Sequence, residues 1–502
     1  MPTAGVIDER DSYSDALIPR EEGNDAGGHE HPLSNPTQAL SNTCKAIIGS
    51  GCIALADAFR RAGWIVALVG LVIMALISEY TMRQLVLCNQ AIRERKARSG
   101  SGKGSGNADD EEVSFTDIGR TAYGYWGAFW ADFTLLTCQF GACCAALAFI
   151  TTNLKDVVNP DSSSLRLVLI VPFGILALVL TWLKSVAQLE ATSGLGNTIF
   201  VFAFFITIYI AAAGKGSADC ITPAAYNGTG PFTDVTMQCI AKHTSVDFCQ
   251  SAAAIGSHAT PTFKGRDAVT TAQDFASFFG VALYMFSAHS EVMAIEQFVQ
   301  DHKGFPRVLK KAVLIAAIVY AFFGLFGYLT WGDNTGFATD GDDAGKNIGD
   351  IFQNIGNTGL AKSVKALMCF MIMCNYPLMA FGAVQMLEQK VFEPATASTC
   401  RVWVDPKRLA LRTVWVLASC GVVAATDNFA FLVAFTGNFS NAVMAFTLPP
   451  MFYLKLYPEV AEQRGAEFYG CWTLTIVSAC AALAFTALSV VQLTSGDSSA
   501  PC

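Results

Sequence analysis

Charged residues are scarce in this chain: Asp, Glu, Lys and Arg make up 15% of its 502 residues, and hydrophobic residues make up 52%. A typical soluble domain carries about 25% charged residues. Because the charges lie between long apolar runs, the composition predicts an all-α polytopic membrane protein. Positive charge is also in deficit, since the formal net charge is −8. Nucleic acid is therefore not an expected partner.

Patterns of catalytic and metal-binding residues are missing as well. The 16 cysteines are spread over apolar runs and loops without a CxxC pair, so we expect neither a metal site nor a cofactor. Apart from His289 and Glu291, no paired acids or His–Glu cluster interrupts the apolar runs, so we do not expect an enzyme. No repeated ion-filter segment is visible, which argues against a channel.

The chain divides into two tails and a membrane domain. Residues 1–37 are polar and acidic and carry no cleavable signal peptide, so we expect a disordered cytosolic tail. Residues 38–492 form the predicted membrane domain, and 493–502 a short extracytosolic tail. The apolar runs predict eleven transmembrane helices, at about 39–60, 63–89, 121–153, 165–184, 186–213, 272–299, 309–332, 358–388, 409–426, 428–454 and 468–492.

The distribution of Lys and Arg predicts the orientation. With the N-terminus in the cytosol, the inner segments carry 20 of these residues and the outer segments 11, as the positive-inside rule requires. The predicted outer loop 214–271 holds the glycosylation sequon at Asn227, and we expect a glycoprotein. The loop also offers three cysteines for one disulfide, whose pairing the sequence leaves open: Cys220, Cys239 and Cys249.

The first apolar run is interrupted at its centre by Gly49-Ser50-Gly51. Each glycine weakens a helix by about 1 kcal/mol, and an unwound segment leaves amide and carbonyl groups without helical partners. Such groups are tolerated in a membrane where they face protein or a polar cavity. They suit a small zwitterion, since helix N-termini attract carboxylates and free carbonyls accept from ammonium groups. The alternative is close helix packing through small residues.

The sixth run is interrupted in the same way, by Ser287-Ala288-His289-Ser290-Glu291. An acidic group there costs roughly 2.5–3.5 kcal/mol on insertion scales, so the segment must face protein or water. His289 is either a group that titrates during function or a histidine that only bonds neighbouring helices. For Glu291 we favour a structural role, as a helix cap or an ion-pair partner.

Two broken helices five spans apart indicate an inverted-repeat transporter with its site between the breaks. The sequence therefore predicts a substrate site from the two interrupted segments. The predicted contacts are Ile48, Gly49, Ser50, Gly51 and Cys52 in the first segment and Phe286, Ser287 and His289 in the second.

Four segments, in order and at the expected spans, resemble the amino acid/auxin permease family. They are AIIGSGCIALADAFRRAGW, YMFSAHSEVMAIEQFV, GLFGYLTWGD and FTGNFSNAVMAFTLPPMFYL, and the resemblance covers about residues 37–492. It implies eleven helices, a five-plus-five inverted repeat of the leucine-transporter type, and amino acids as substrates. It also implies substrate binding by the first and sixth helices and, in many members, a proton or sodium gradient as the driving force.

The chain departs from this family at positions near the first break. Lys45 stands where sodium-coupled members have Asn, and its ammonium either excludes sodium or extends to the cytosolic interface. Asp57 replaces an aromatic residue, and it either pairs with Arg60 or Arg61 or contacts a cationic substrate. In the eighth span, Asn375 precedes Pro377, and we expect it to approach Lys45 and take part in ion coupling.

From the resemblance we expect a secondary amino acid transporter that works by alternating access and is proton-coupled or uncoupled. The candidate ion-coupling residues are Lys45, His289 and Asn375. The alternative is a nutrient receptor that binds amino acids on the same scaffold. We expect the protein in the plasma membrane or in a vacuolar or lysosomal membrane.

Overall fold

The computed structural model describes residues 35–100, 113–182, 199, 202–210, 268–332, 335–338, 346–392 and 406–495, apart from 160, 163, 298, 300, 301, 303 and 427. The tail 1–34, the loop 214–267 with Asn227 and its three cysteines, and residues 496–502 lie outside the described residues. The predictions made for those segments stay predictions.

The described chain is almost entirely helical, with an isolated β-bridge between Phe337 and Asn347. Two short 3₁₀-helices matter for function: the break helix Ser50–Ala54 and the loop helix Ile351–Ile355. The longer helices are α1 (Pro36–Ile47), α2 (Leu55–Ala62), α3 (Trp64–Gly100), α4 (Phe115–Val158), α5 (Leu165–Thr181), α6 (202–210), α7 (Ala268–Met285), α8 (His289–Gln297), α9 (Phe305–Trp331), α10 (Gly359–Val391), α11 (Pro406–Ala425), α12 (Phe429–Leu456), α13 (Pro458–Gln463) and α14 (Ala466–Ser495).

These helices account for the predicted spans. Eight described segments, one of them α7 together with α8, are long and apolar enough to cross a membrane, and α1 with α2 forms a ninth span bent by 49° at its break. The short apolar helix α5 matches the predicted fourth span. The fifth span, predicted at 186–213, is described as a helix only at 202–210. The prediction of an all-α multi-pass membrane protein with interrupted first and sixth spans is confirmed.

The helix of the third span, α4, begins before the predicted span does. α4 contains a sharp kink at Tyr123 and Gly124, where Gly124 has a φ of +61° that a side chain rarely adopts. The kink folds the first turns back, so that the Gly119 carbonyl lies against Gly127 and leaves no room for a Cβ there. The helix is longer than the predicted 121–153 because its first turns pack outside the span, against Phe452.

The two broken spans pack against each other with their directions reversed. α1 contacts α8, and α2 contacts α7. We call the face that holds Gly63 and the α9–α10 loop the outer face, because the Lys and Arg count predicts that it faces away from the cytosol. A five-plus-five inverted repeat predicts this antiparallel pairing of the first and sixth spans.

Candidate functional site

The first break is formed by an extended backbone at two residues. Ile48 ends α1, with its N–H donating to the Cys44 carbonyl at 2.8 Å, and Gly49 has φ −117° and ψ 179°. The chain then winds into the break helix at Ser50. Extended residues interrupt the helical hydrogen-bond pattern, so backbone polar groups become available on this stretch.

The two glycines of this break face different surroundings. Gly49 is exposed, and a Cβ built on it would meet nothing within 4 Å. Gly51 is buried, and a Cβ there would lie 2.8 Å from the Tyr284 ring and 3.0 Å from the Met285 sulfur. Gly49 therefore borders open space, whereas Gly51 allows the first and sixth spans to approach closely.

The second break lies between Met285 and His289. Phe286 is fully buried, and the half-buried Ser287 donates its hydroxyl to the Tyr284 carbonyl at 2.8 Å. The Ser287 side chain thus satisfies a carbonyl at the end of α7, and its proton is not available to a ligand at the break. The structure places Phe286 and Ser287 at the break that the sequence predicted.

Tyr320 of α9 joins the two breaks. Its buried hydroxyl lies 2.5 Å from the Ile47 carbonyl and 3.2 Å from the Met285 carbonyl. Its ring packs edge-on against Phe286 with centroids 5.3 Å apart. Because a phenol has one proton, it can fully satisfy only one of these two carbonyls at a time. The last carbonyls of α1 and α7 therefore meet at one point, between the inner half of one broken span and the outer half of the other.

Tyr320 was not among the predicted site residues. A signal was present, because it puts a polar hydroxyl at the middle of an apolar span, where a buried Tyr needs a hydrogen-bond partner. The identity of that partner depends on how α9 packs against α1 and α7, and the sequence does not carry this information.

His289 begins α8 and is fully buried against α3. Its Nε2 lies 2.9 Å from the Thr81 hydroxyl, which in turn lies 3.0 Å from the Ile77 carbonyl. If the Thr81 proton goes to that carbonyl, the imidazole donates from Nε2 and Nδ1 carries a lone pair. Nδ1 is buried and has no hydrogen-bond partner among the described residues. The ring thus has one nitrogen anchored and one that can accept a proton.

Glu291 lies in the first turn of α8. Its carboxylate accepts a hydrogen bond from the Ser290 hydroxyl at 2.9 Å. A negative charge in this position interacts favourably with the helix dipole. No ion pair involves Glu291 in the part of the chain that the structure describes, and its place in the first turn of α8 is compatible with the predicted role as a helix cap.

Lys45 and Asn375 lie on different helices. Lys45 is exposed on α1, one turn before Gly49. The Asn375 amide donates to the Met371 sulfur at 3.2 Å, one turn away on its own helix. Within the described residues no hydrogen bond joins Asn375 to Lys45, and the expected approach of the two side chains stays a prediction. Asn375 finds its partner on α10, since the helix continues through Pro377.

Asp57 pairs with its arginines. Its carboxylate, 1% exposed, accepts from Arg60 at 2.7 Å and from Arg61 at 2.8 Å. Gly336 of the outer loop lies against the same carboxylate, and Phe337 lies under the Arg60 guanidinium at 4.8 Å. The local ion pair is the alternative that the structure shows.

Comparisons with known proteins place the chain among transporters. The family model described as transmembrane amino acid transporter protein matches residues 33–494. The chain is similar to amino acid transporter AVT3B of Arabidopsis thaliana, with 26% identity over 87% of this chain and 89% of that protein. It is similar to amino acid transporter ANT1 of the same plant, with 23% identity over 84% of each. A vesicular inhibitory amino acid transporter of Xenopus tropicalis is 27% identical over 35% of this chain and 33% of its own length.

Two solved structures also align over most of the chain. The inward-facing conformation of Mhp1 has 12% identity and a TM-score of 0.45, and covers 92% of each chain. A substrate-bound, outward-open sodium-coupled sialic acid symporter has 13% identity and a TM-score of 0.41, and covers 91% of this chain and 97% of its own.

Proposed function

The chain belongs to the transmembrane amino acid transporter family, and we propose that it is a secondary active transporter that moves amino acids by alternating access. The observation that carries this proposal is the meeting of two helix breaks at one point. The carbonyls of Ile47 and Met285 converge there on the Tyr320 hydroxyl, beside the open space at Gly49.

The proposed substrate contacts use the backbone of both breaks. The substrate carboxylate binds the N–H groups of Ser50 and Gly51 at the start of the break helix, where the helix dipole favours negative charge. The substrate ammonium replaces the Tyr320 hydroxyl at the two carbonyls. The site thus recognises the groups shared by all α-amino acids, and side-chain selectivity falls to the residues around Gly49.

Flux through proteoliposomes tests the proposal. Purified protein, reconstituted with a panel of radiolabelled amino acids and an imposed pH gradient, is expected to accumulate at least one of them above the level in protein-free vesicles. The panel includes neutral, acidic and basic amino acids, because the proposed backbone contacts use only the groups that all α-amino acids share. Saturable binding without net uptake would instead indicate a receptor on the same scaffold.

We predict that uptake does not depend on sodium. Lys45 lies one turn before the break, at the position where sodium-coupled members have Asn, and its ammonium repels a second cation. Replacing all sodium by choline at constant pH and voltage should change the initial rate by less than a factor of two. Steep sodium dependence at fixed voltage would contradict this assignment. Lys45→Asn is the companion variant, in which any sodium dependence should increase.

We propose His289 as the group that carries a coupled proton. Its anchored Nε2 and its partner-free Nδ1 allow protonation without loss of the Thr81 contact. His289→Gln, which keeps a donor for Thr81, is predicted to abolish accumulation driven by a pH gradient while exchange of internal for external substrate continues. A variant that still concentrates substrate against a gradient would remove His289 from this role. Thr81→Val is the matched control for the anchor alone, and should slow both modes equally.

A further inference from the structure

A buried carboxyl group organises the loop on the outer face. Asp350 lies just before the loop helix and is fully buried. One of its oxygens accepts from the Phe352 N–H at 2.9 Å, which caps the loop helix. The other accepts from the Asn153 amide of α4 at 2.5 Å. Asp350 therefore holds the loop helix both to its own first turn and to the third span.

The groups that face Asp350 carry charges of both signs. α4 contributes Asp156 and the buried Lys155, and α10 contributes Lys365, whose ammonium lies 3.4 Å from the Asp156 carboxylate. The Cys369 thiol of α10 belongs to the same cluster. The neighbouring parts of α9 and α12 bring Gly327 and Ala430 against the loop, and α2 brings Asp57, which its two arginines hold.

Burial dominates the behaviour of this group. Removal from water raises the pKa of Asp350 to about 7, against the pull of Asn153, the Phe352 N–H and Lys365 toward the ionised form. An Asp in water has a pKa of about 3.9. When the loop is packed, the carboxyl of Asp350 therefore keeps its proton up to a pH about three units higher than when the carboxyl is exposed to solvent.

The outer loop reaches the substrate site. The loop helix contacts the break helix of the first span. Its flanking residues pack on the outer half of that span through Gly336 on Asp57, and on α12 through Gly349, which lies against Ala430 and leaves no room for a Cβ. The loop thus covers the outer side of the first break, and its departure would open that side.

We propose that Asp350 is a proton-binding site on the outer face, and that the bound proton keeps the loop helix docked on the break helix. This inference rests on the proposed transport function only for its consequence, which is control of substrate access. The binding of the proton by Asp350 does not depend on transport. It is distinct from the proton carried at His289, since Asp350 regulates access to the site and does not need to cross the membrane.

The sign of the pH effect follows from linkage. The packed loop binds the proton more tightly than the released loop does, so protonation stabilises the docked state. This stabilisation is complete below the pKa of an exposed Asp, near 4, and is lost as the pH rises through about 7. Above pH 7 the carboxyl is ionised in both states, and the loop leaves more readily. Acid on the outer face is therefore expected to close the outer entrance.

Labelling of the native Cys369 thiol tests this proposal without any need for transport. Cys369 is 5% exposed beneath the loop, so a maleimide reaches it when the loop leaves. Asp350→Asn keeps a helix-capping oxygen but is neutral at every pH, and so imitates the protonated group. The rate of Cys369 labelling in the unsubstituted protein, divided by that in Asp350→Asn, is expected to be about thirty times larger at pH 8 than at pH 5.5. The ratio cancels the intrinsic pH dependence of thiol reactivity.

Two further variants complete the experiment. Asp161→Asn alters an exposed carboxyl on the same face, and should label like the unsubstituted protein at both pH values. Asp350→Ser, a neutral capping residue, replaces Asp350→Asn if that variant does not fold. A ratio that is equal at pH 5.5 and pH 8 would overturn the proposal. The expected labelling together with no uptake of any amino acid would leave the proton site in place and refute the transport function.

Discussion

Gly49→Val is expected to reduce amino acid uptake at least a hundredfold while the protein folds and reaches the membrane in normal amounts. The backbone at Gly49 is extended, a conformation that valine adopts readily, and a Cβ there meets nothing within 4 Å. The substitution should therefore not disturb packing. Its two methyl groups instead fill the open space beside the break, which in our proposal holds the substrate.

Gly51→Val should also abolish uptake, but for a different reason. Its Cβ would lie 2.8 Å from the Tyr284 ring, and overpacking of this kind costs typically 1–3 kcal/mol. We therefore expect a lower thermal unfolding temperature for Gly51→Val than for Gly49→Val. The two glycines thus separate an effect on the site from an effect on helix packing.

Gly421→Val is the matched control for both variants. Gly421 is an exposed glycine within α11, and a Cβ there also meets nothing within 4 Å. Uptake should be normal in this variant, measured at equal protein per vesicle. Normal uptake by Gly49→Val under the same conditions would place the substrate elsewhere.

Tyr320→Phe is expected to tighten substrate binding about tenfold, or about 1.4 kcal/mol. In this structure the hydroxyl lies between the Ile47 and Met285 carbonyls and donates its one proton there in place of a substrate ammonium. Its removal leaves a buried carbonyl without that donor, and an unsatisfied group costs about 1–3 kcal/mol. A change that destabilises the ligand-free state more than the bound state raises affinity. Phenylalanine keeps the ring contact with Phe286.

Equilibrium binding of a labelled amino acid to the purified protein measures this effect. Tyr328→Phe removes a hydroxyl from the same helix, two turns toward the outer face, and should leave the dissociation constant unchanged. Weaker binding by Tyr320→Phe would mean that the hydroxyl contacts the substrate directly. An unchanged constant would mean that the ammonium does not use these carbonyls.

The local features of the molecule could be predicted from the sequence. Apolar runs of sufficient length predicted the spans, and helix-breaking residues predicted interruptions in the first and sixth of them. The pair of Asp57 with Arg60 and Arg61 is of the same kind, because residues three and four positions apart meet on one helix face. Each of these depends on neighbours within a few turns of the chain.

The contacts between distant spans were decided by the tertiary structure alone. Tyr320 reaches two carbonyls that lie 273 and 35 residues away along the chain, and Asp350 meets Asn153 across 197 residues. The Asn375 amide, by contrast, donates to Met371 on its own helix. No hydrophobic period or helix-breaking residue encodes such pairs, since they depend on the rotation and tilt with which whole helices pack. The sequence by itself thus determined where the first and sixth helices break. Packing determined which carbonyls meet at the break and which carboxyl holds the outer loop, because a buried polar group must find its partner on whichever helix the fold brings beside it.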